Sequence, residues 1–420
     1  MTNQLSITRL LKRGVIESFF LRALGAVLLF LMHSLVARLI GSKNYGTFSY
    51  ALIIVNILSV VVSLGWPTAL VRFIVQYQEK QQWSLLHGIV LRASQMTMFF
   101  SILVSLVLWV ISYTQSIPNN IILSCRFAAL LLPLFALVNL RKKVFQALRR
   151  IKTSIILEEL ILPLTILTGL SMLPMNTTTD ILLLYFGAAF LACLLSTVLL
   201  WWCFPVQGKT ALPTFKLAMD SGTLPMMLGG ISQIVMNRAD IFMLGFLIDM
   251  EAVGVYNAAN RIASLNIFVL QAVNIIAAPM LAAAFHSSRL DEFKAIMRRA
   301  MLCSTIGSLP LFIIIIIRAK HLLIFFGSEF TQGSLLLKIM ACGQLFNAVS
   351  GPVGFALLMV GKERIFAFLT SIIALANVVG NLFAIPMYGT LGAALVTTGC
   401  IIMLNGLMFY LTQGIKVSVS

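Results

Sequence analysis

Charged side chains are scarce in this sequence: Asp, Glu, Lys and Arg make up 10% of its 420 residues, and only 13 are acidic. A soluble domain carries roughly 25% charged residues, so this chain lacks the means to cover a water-facing surface. The six cysteines (Cys125, Cys193, Cys203, Cys303, Cys342 and Cys400) are scattered through apolar segments and include no C-x-x-C pair. They read as small apolar packing residues and speak against a disulfide framework or a metal site.

What is abundant is apolar surface. Hydrophobic residues make up 60% of the chain, and its mean hydropathy is +1.00. Apolar runs of about 20 residues recur throughout, each long enough to cross the roughly 30 Å hydrocarbon layer as a helix. The expected spans cover residues 15–40, 47–66, 88–113, 120–140, 153–173, 179–204, 222–247, 254–284, 299–317, 332–360, 365–386 and 391–413. The first, preceded by Arg9, Lys12 and Arg13, is too long for a signal-peptide core and reads as a membrane helix. The fold class expected is therefore all-α and polytopic, with about twelve transmembrane helices.

Of the 30 Lys and Arg residues, only Lys43, Arg126, Arg318 and Lys320 fall in connections on the outer side if the N-terminus is inside. The positive-inside rule then predicts that both termini are cytoplasmic. The same asymmetry explains the net charge of +17. The basic cluster 141–152 reads as a topology signal and an attraction for anionic membrane lipids, and nucleic acid is set aside.

Six spans precede the segment 205–220 and six follow it, predicting lobes at 1–204 and 221–420 joined by a cytoplasmic loop. The second and eighth spans begin alike. LIGSKNYGTFSYA (39–51) aligns without gaps on LIDMEAVGVYNAA (247–259), with Phe48 opposite Tyr256. An even number of intervening spans gives both copies the same orientation, a parallel repeat.

The turn ARLIGSKNYGTFSYA, the segment SLGWPTALVRF, the stretch NRADIFMLGFLIDMEAVGVYNAANRIASL, then LLIFFGSEF and NVVGNLFAIPMYGTLGAALVTTG follow one another along the chain. Together they resemble the polysaccharide flippases of the MOP (multidrug, oligosaccharidyl-lipid, polysaccharide) exporter superfamily, a MATE-like fold. The resemblance implies two six-helix lobes around a central cavity and alternating access. It also implies an undecaprenyl-pyrophosphate-linked oligosaccharide as substrate, an O-antigen or capsular repeat unit, in a bacterial inner membrane. A polysaccharide polymerase and a chain-length regulator would be its partners.

Five basic residues fall inside the spans: Arg22, Arg38, Arg238, Arg261 and Lys338. Charge at bilayer depth should face a cavity, a partner or the interface. On the eighth span Asn257, Asn260, Arg261, Ser264 and Gln271 share about 100° of helical arc, which predicts a wet face. The seventh span carries Gln233, Asn237 and Asp240 at helical spacing, with Arg238 beside them. Asp240 is expected to pair with Arg261 or to titrate as a coupling site for H+ or Na+.

Arg22 and His33 share a face of the first span. Arg22 is placed to receive a pyrophosphate, and His33 is a candidate proton carrier. Arg38 and Lys338 read as interface anchors, and Glu158 and Glu159 as interfacial groups at the start of the fifth span. Softer stripes, Ser49, Asn56, Ser59 and Ser63 with Thr370, Asn377 and Asn381, could bond sugar hydroxyls or one another.

The expected chemistry is transport without a covalent step, a cofactor or a bound metal. Arg22, Arg238 and Arg261 would hold the pyrophosphate by charge-assisted hydrogen bonds. A drug or organic-cation antiporter on the same fold would want acids where these arginines stand. A polymerase or ligase would want a large outer loop with paired acids, and the segment near 318–331 is short.

Overall fold

A chain in hydrocarbon must satisfy its backbone N–H and C=O groups internally, and the computed structural model is built accordingly. It describes residues 2–113, 118–175, 177–203, 223–287 and 289–413, and every regular element among them is helical. Among the described residues, seven helices are long and apolar enough to cross a membrane, or eight if the bent pair Ser328–Ser350 and Val353–Met359 is one span.

The longest helices exceed one crossing. The apolar part of α1 (Thr2–Val62) runs over 44 residues, about 66 Å of helix. Gly41 interrupts it with φ 77° and ψ 172°, a conformation essentially confined to glycine. There the chain folds back, and the His33 and Phe48 rings stand 5.9 Å apart; straight helix would separate them by about 22 Å. α14 (Glu363–Gln413) folds back likewise at Gly389, which brings Asn377 Nδ2 to 3.2 Å from Thr397 Oγ1. Each hairpin supplies two of the expected spans.

Between the hairpins lie α2 (Trp66–Glu79), α3 (Trp83–Ile111), α4 (Asn119–Ala147), α5 (Ile151–Ile155), α6 (Ile161–Met172), α7 (Thr178–Cys203), α8 (Thr223–Leu247), α9 (Met250–Ala263), α10 (Ile267–His286), α11 (Leu290–Ile324), α12 (Ser334–Ser350) and α13 (Val353–Met359). A π turn, Ile156–Leu160, joins α5 to α6, and a 3-10 turn, Ser264–Asn266, joins α9 to α10. The helices break at Gly65-Trp66-Pro67 and Gly351-Pro352, with Gly65 and Gly351 at positive φ. Pro386 stands inside α14, three residues before its reversal. The segment 205–220 lies outside the described residues.

One element was not anticipated. α2 is amphipathic, burying Trp66, Ala69, Leu70, Phe73, Ile74 and Tyr77 against Leu86, Ile89, Leu140 and Val144 of α3 and α4. The i, i+3, i+4 spacing was readable, but Arg72 and Gln76 keep the stretch below a membrane-span signal.

The described contacts divide the chain into two compact units. One comprises Met1–Ile40 and Thr47–Met227, and the other Gly41–Gly46 and Leu228–Ser420. In the first, α3 packs on α4 and α4 on α7; in the second, α11 and α14 pack on α12, and α10 on α11.

Within the second unit the two aligned turns meet reciprocally. A β-carbon on Gly46 would overlap the Met250 carbonyl oxygen, and one on Gly254 would overlap the Ser42 carbonyl oxygen. Gly46 aligns with Gly254 and Ser42 with Met250, so each copy presents the same glycine to the same carbonyl of the other. The copies differ in how the following helix is capped. Asp249 Oδ1 accepts from Ala252 N at 2.8 Å, whereas the aligned Gly41 has no side chain, and Glu329 Oε2 accepts from Ser42 N at 2.8 Å.

Replacing either glycine by alanine forces a backbone shift, with an expected loss of about 1–3 kcal/mol or more. Gly46→Ala and Gly254→Ala should each lower the melting temperature of the detergent-solubilised protein. Gly399→Ala, where nothing lies within 4 Å of the added carbon, should leave it unchanged.

Candidate functional site

Three charged side chains of the second unit come together, and they are not treated alike. Asp240 on α8 is 2% exposed. Its Oδ2 accepts from Tyr256 Oη at 2.6 Å and from Thr397 Oγ1 at 3.1 Å, and its Oδ1 accepts from Ile241 N at 2.8 Å. These neutral donors replace the ion pair expected with Arg261. Tyr256 and Arg261 are five residues apart on α9, about 140° round the helix, so the face that presents Tyr256 to Asp240 turns Arg261 elsewhere.

Behind Asp240 the softer stripe of α14 is closed into a network. Thr370, Asn377 and Asn381 are fully buried. Asn377 donates to Thr397 at 3.2 Å, and Asn381 donates to Asn377 at 3.1 Å, leaving Asn381 Oδ1 buried without a partner. Asn377 and Asn381 bond one another, one of the alternatives the sequence left open, whereas Thr370 Oγ1 donates to the Phe366 carbonyl of its own helix. Thr397 was missed because its role depends on the reversal at Gly389.

Arg238 and Arg261 are half-buried. Arg238 lies within electrostatic reach of both Arg261 and Asp240, and Arg261 Nε is buried without a hydrogen-bond partner. Neither guanidinium makes an ion pair among the described residues. The two cations thus lie within electrostatic reach of each other with no bonded acid, and Asp240 offsets part of the charge at Arg238.

The polar stripe of the eighth span is interrupted. A 3-10 turn at Ser264–Asn266 separates α9, which carries Asn257 and Asn260, from α10, which carries Gln271. Asn257 is 2% exposed and donates to Tyr45 Oη at 3.3 Å, away from any wet face. Ser264 Oγ donates to the Asn260 carbonyl of its own helix at 2.7 Å. Asn260 and Gln233 are half-buried, and Gln271 and Asn237 are exposed.

In the first unit, Arg22 and His33 part company. His33 is 1% exposed and packs on Phe48. Arg22 Nη1 stands 3.6 Å from Glu159 Oε1, so Glu159 faces the first half of α1 and not the interface alone; the π turn has rotated it there. Arg38 and Lys338 are exposed, as anchors should be.

Arg141, which the sequence assigned to a basic loop, is a further correction. It lies within α4, 8% exposed, and its Nη1 donates to the Cys193 carbonyl at 2.9 Å, Ser196 Oγ at 3.0 Å and Thr197 Oγ1 at 2.6 Å on α7. It ties two helices together through neutral oxygens. A hollow of about 420 Å³ opens among Asp249, Glu251, Gln332 and Thr390, and another of about 610 Å³ among residues of α6 and α7; neither is lined by an arginine.

Comparison with known proteins places these features in a family. Residues 11–285 match the model of the polysaccharide biosynthesis protein family, and residues 225–383 match that of the MatE family. A probable low-salt glycan biosynthesis flippase of Haloferax volcanii is 25% identical over 159 residues, 38% of this chain and 34% of that protein. The matched region thus spans about a third of that relative's length. The lipid II flippase MurJ, solved in an inward closed conformation, superposes with a TM-score of 0.71 at 15% identity, covering 95% of this chain and 88% of that one. An inward-facing multidrug resistance MATE transporter of the MOP superfamily superposes with a TM-score of 0.66 at 11% identity, covering 94% of both chains. At those identities the structures speak to fold alone, while the first family match covers more than half of the sequence: the chain belongs to the polysaccharide biosynthesis protein family.

Proposed function

We propose that this protein moves an undecaprenyl-pyrophosphate-linked oligosaccharide, an O-antigen or capsular repeat unit, from the cytoplasmic to the outer leaflet of a bacterial inner membrane. Both termini would be cytoplasmic. The observation that carries the reading is the pair Arg238 and Arg261, within electrostatic reach of each other and with no acid bonded to either among the described residues. Such a pair is expensive in a membrane, and a polyanionic ligand repays it through charge-assisted, bidentate hydrogen bonds. Arg22 of the first unit, 35% exposed, is a separate candidate to receive the phosphate. Half-buried Asn260 and Gln233 and exposed Asn237 and Gln271 are candidates to meet the glycan, with the lipid tail left in the bilayer. A polymerase and a chain-length regulator would act on the delivered unit.

Asp240 is the proposed coupling group for H+ or Na+. It is buried and bonded by Tyr256 and Thr397; Thr397 in turn accepts from Asn377, which Asn381 bonds, and Asn381 Oδ1 offers an unused acceptor. Buried His33 is a weaker candidate. A drug antiporter would need an acid open to its cationic substrate, whereas Asp240 is enclosed and arginines occupy the more open positions.

Two tests follow. In a cell lacking its own flippase, Arg238→Ala and Arg261→Ala should each reduce surface glycan at least tenfold at normal expression, with Lys variants retaining part of it. Full activity of all the Ala variants, Arg22→Ala included, would sink the cationic-cavity reading. Asp240→Asn should preserve expression and abolish the dependence of transport on an imposed ion gradient. An unchanged gradient dependence would remove Asp240 from the coupling role.

A further inference from the structure

The fifth span contains a π turn, Ile156–Leu160, and such turns, which insert one extra residue into a helix, gather at functional sites. Here the extra residue re-aims Glu159. Opposite it, Gly25 on α1 lies so close that a β-carbon would meet Glu159 Cβ at 2.5 Å. That approach sets the Glu159 carboxylate beside Arg22, and the resulting ion pair is loose. Its N–O separation of 3.6 Å exceeds hydrogen-bonding distance, and the two side chains remain 35% and 22% exposed. The same two spans already have a separate tie, Lys152 with Glu17, whose side chains are 58% and 35% exposed. The Arg22 pair is therefore not needed to hold them together.

Resting on the reading that Arg22 receives a phosphate, we propose that Glu159 is a displaceable counter-ion of Arg22. In the empty carrier it compensates the guanidinium, which would otherwise stand alone at bilayer depth. A pyrophosphate headgroup arriving at Arg22 forms the short charge-assisted hydrogen bonds that Glu159 does not make and displaces the carboxylate. On release the carboxylate returns, so Arg22 neither remains uncompensated nor keeps the product. A tighter pair would withhold Arg22 from the ligand; an absent one would make the ligand slow to leave.

Binding of inorganic pyrophosphate to the purified full-length protein, measured by calorimetry at low salt, tests this. Glu159→Gln should tighten binding several-fold. Glu17→Gln, which removes an acid from the neighbouring pair, should leave it unchanged, and Arg22→Gln should weaken it several-fold. If Arg22→Gln has no effect, the role given to Arg22 itself fails. If Arg22→Gln weakens binding while Glu159→Gln leaves it unchanged or weaker, Glu159 is a structural partner and the inference is overturned. Should Glu159→Gln fail to fold, Glu159→Asp, with its shorter reach toward Arg22, should bind pyrophosphate more tightly than the unmodified protein; equal or weaker binding would contradict the proposal.

Discussion

A charge removed from water must be compensated by partners or face a wet space, and the polar interior of this protein is organised by how each charge meets that demand. Arg141 is saturated on one edge by neutral oxygens of α7, which makes it a clamp. Asp240 is held by three neutral donors, an arrangement that supports a carboxylate without committing it to a cation. Arg22 has a loose acid within reach. Arg238 and Arg261 have no bonded acid among the described residues, although Asp240 lies within electrostatic reach of Arg238. From clamp to unpaired cation, the groups become progressively more available to something that is not protein.

Close backbone packing supplies the frame. Gly46 and Gly254 admit each other's neighbouring carbonyls where a single methyl group would clash, and the same contact brings Tyr45 to Asn257 and to the rings of Phe326 and Phe330. Small residues at helix contacts are the expected device in lipid, where apolar burial gives no preference for one helix neighbour over another. The aligned turns have nonetheless diverged. The pair His33 and Phe48 in the first unit makes a ring contact, whereas Tyr256, aligned with Phe48, bonds Asp240. One added hydroxyl separates a packing position from a polar network.

The features legible in the sequence were those with a one-dimensional signature. Span length fixed the helices, and the ungapped match of 39–51 to 247–259 marked Gly46 and Gly254, although not that they touch. Positions set by tertiary geometry were misplaced. Asn257 was read as facing water because helical periodicity does not show that Tyr45, from the aligned turn, covers that part of α9. Glu159 was read as interfacial because a π turn has no composition of its own. Arg141 looked like one more member of a basic cluster until α7 was seen to cover it. Asp240 was recognised as unusual, but its partners Tyr256 and Thr397 lie on other helices, and only the fold joins them.

The central claim is that the protein carries a polyanionic, lipid-linked glycan from one leaflet to the other. It is tested most directly in proteoliposomes containing the purified protein and a fluorescent polyprenyl-pyrophosphate oligosaccharide, by following how much of the labelled glycan becomes accessible to a quencher outside. The account predicts protein-dependent exchange between leaflets that is competed by unlabelled pyrophosphate-linked lipid and not by the corresponding neutral lipid-linked sugar. Exchange at the rate of protein-free vesicles, or equal competition by the neutral lipid, would contradict it.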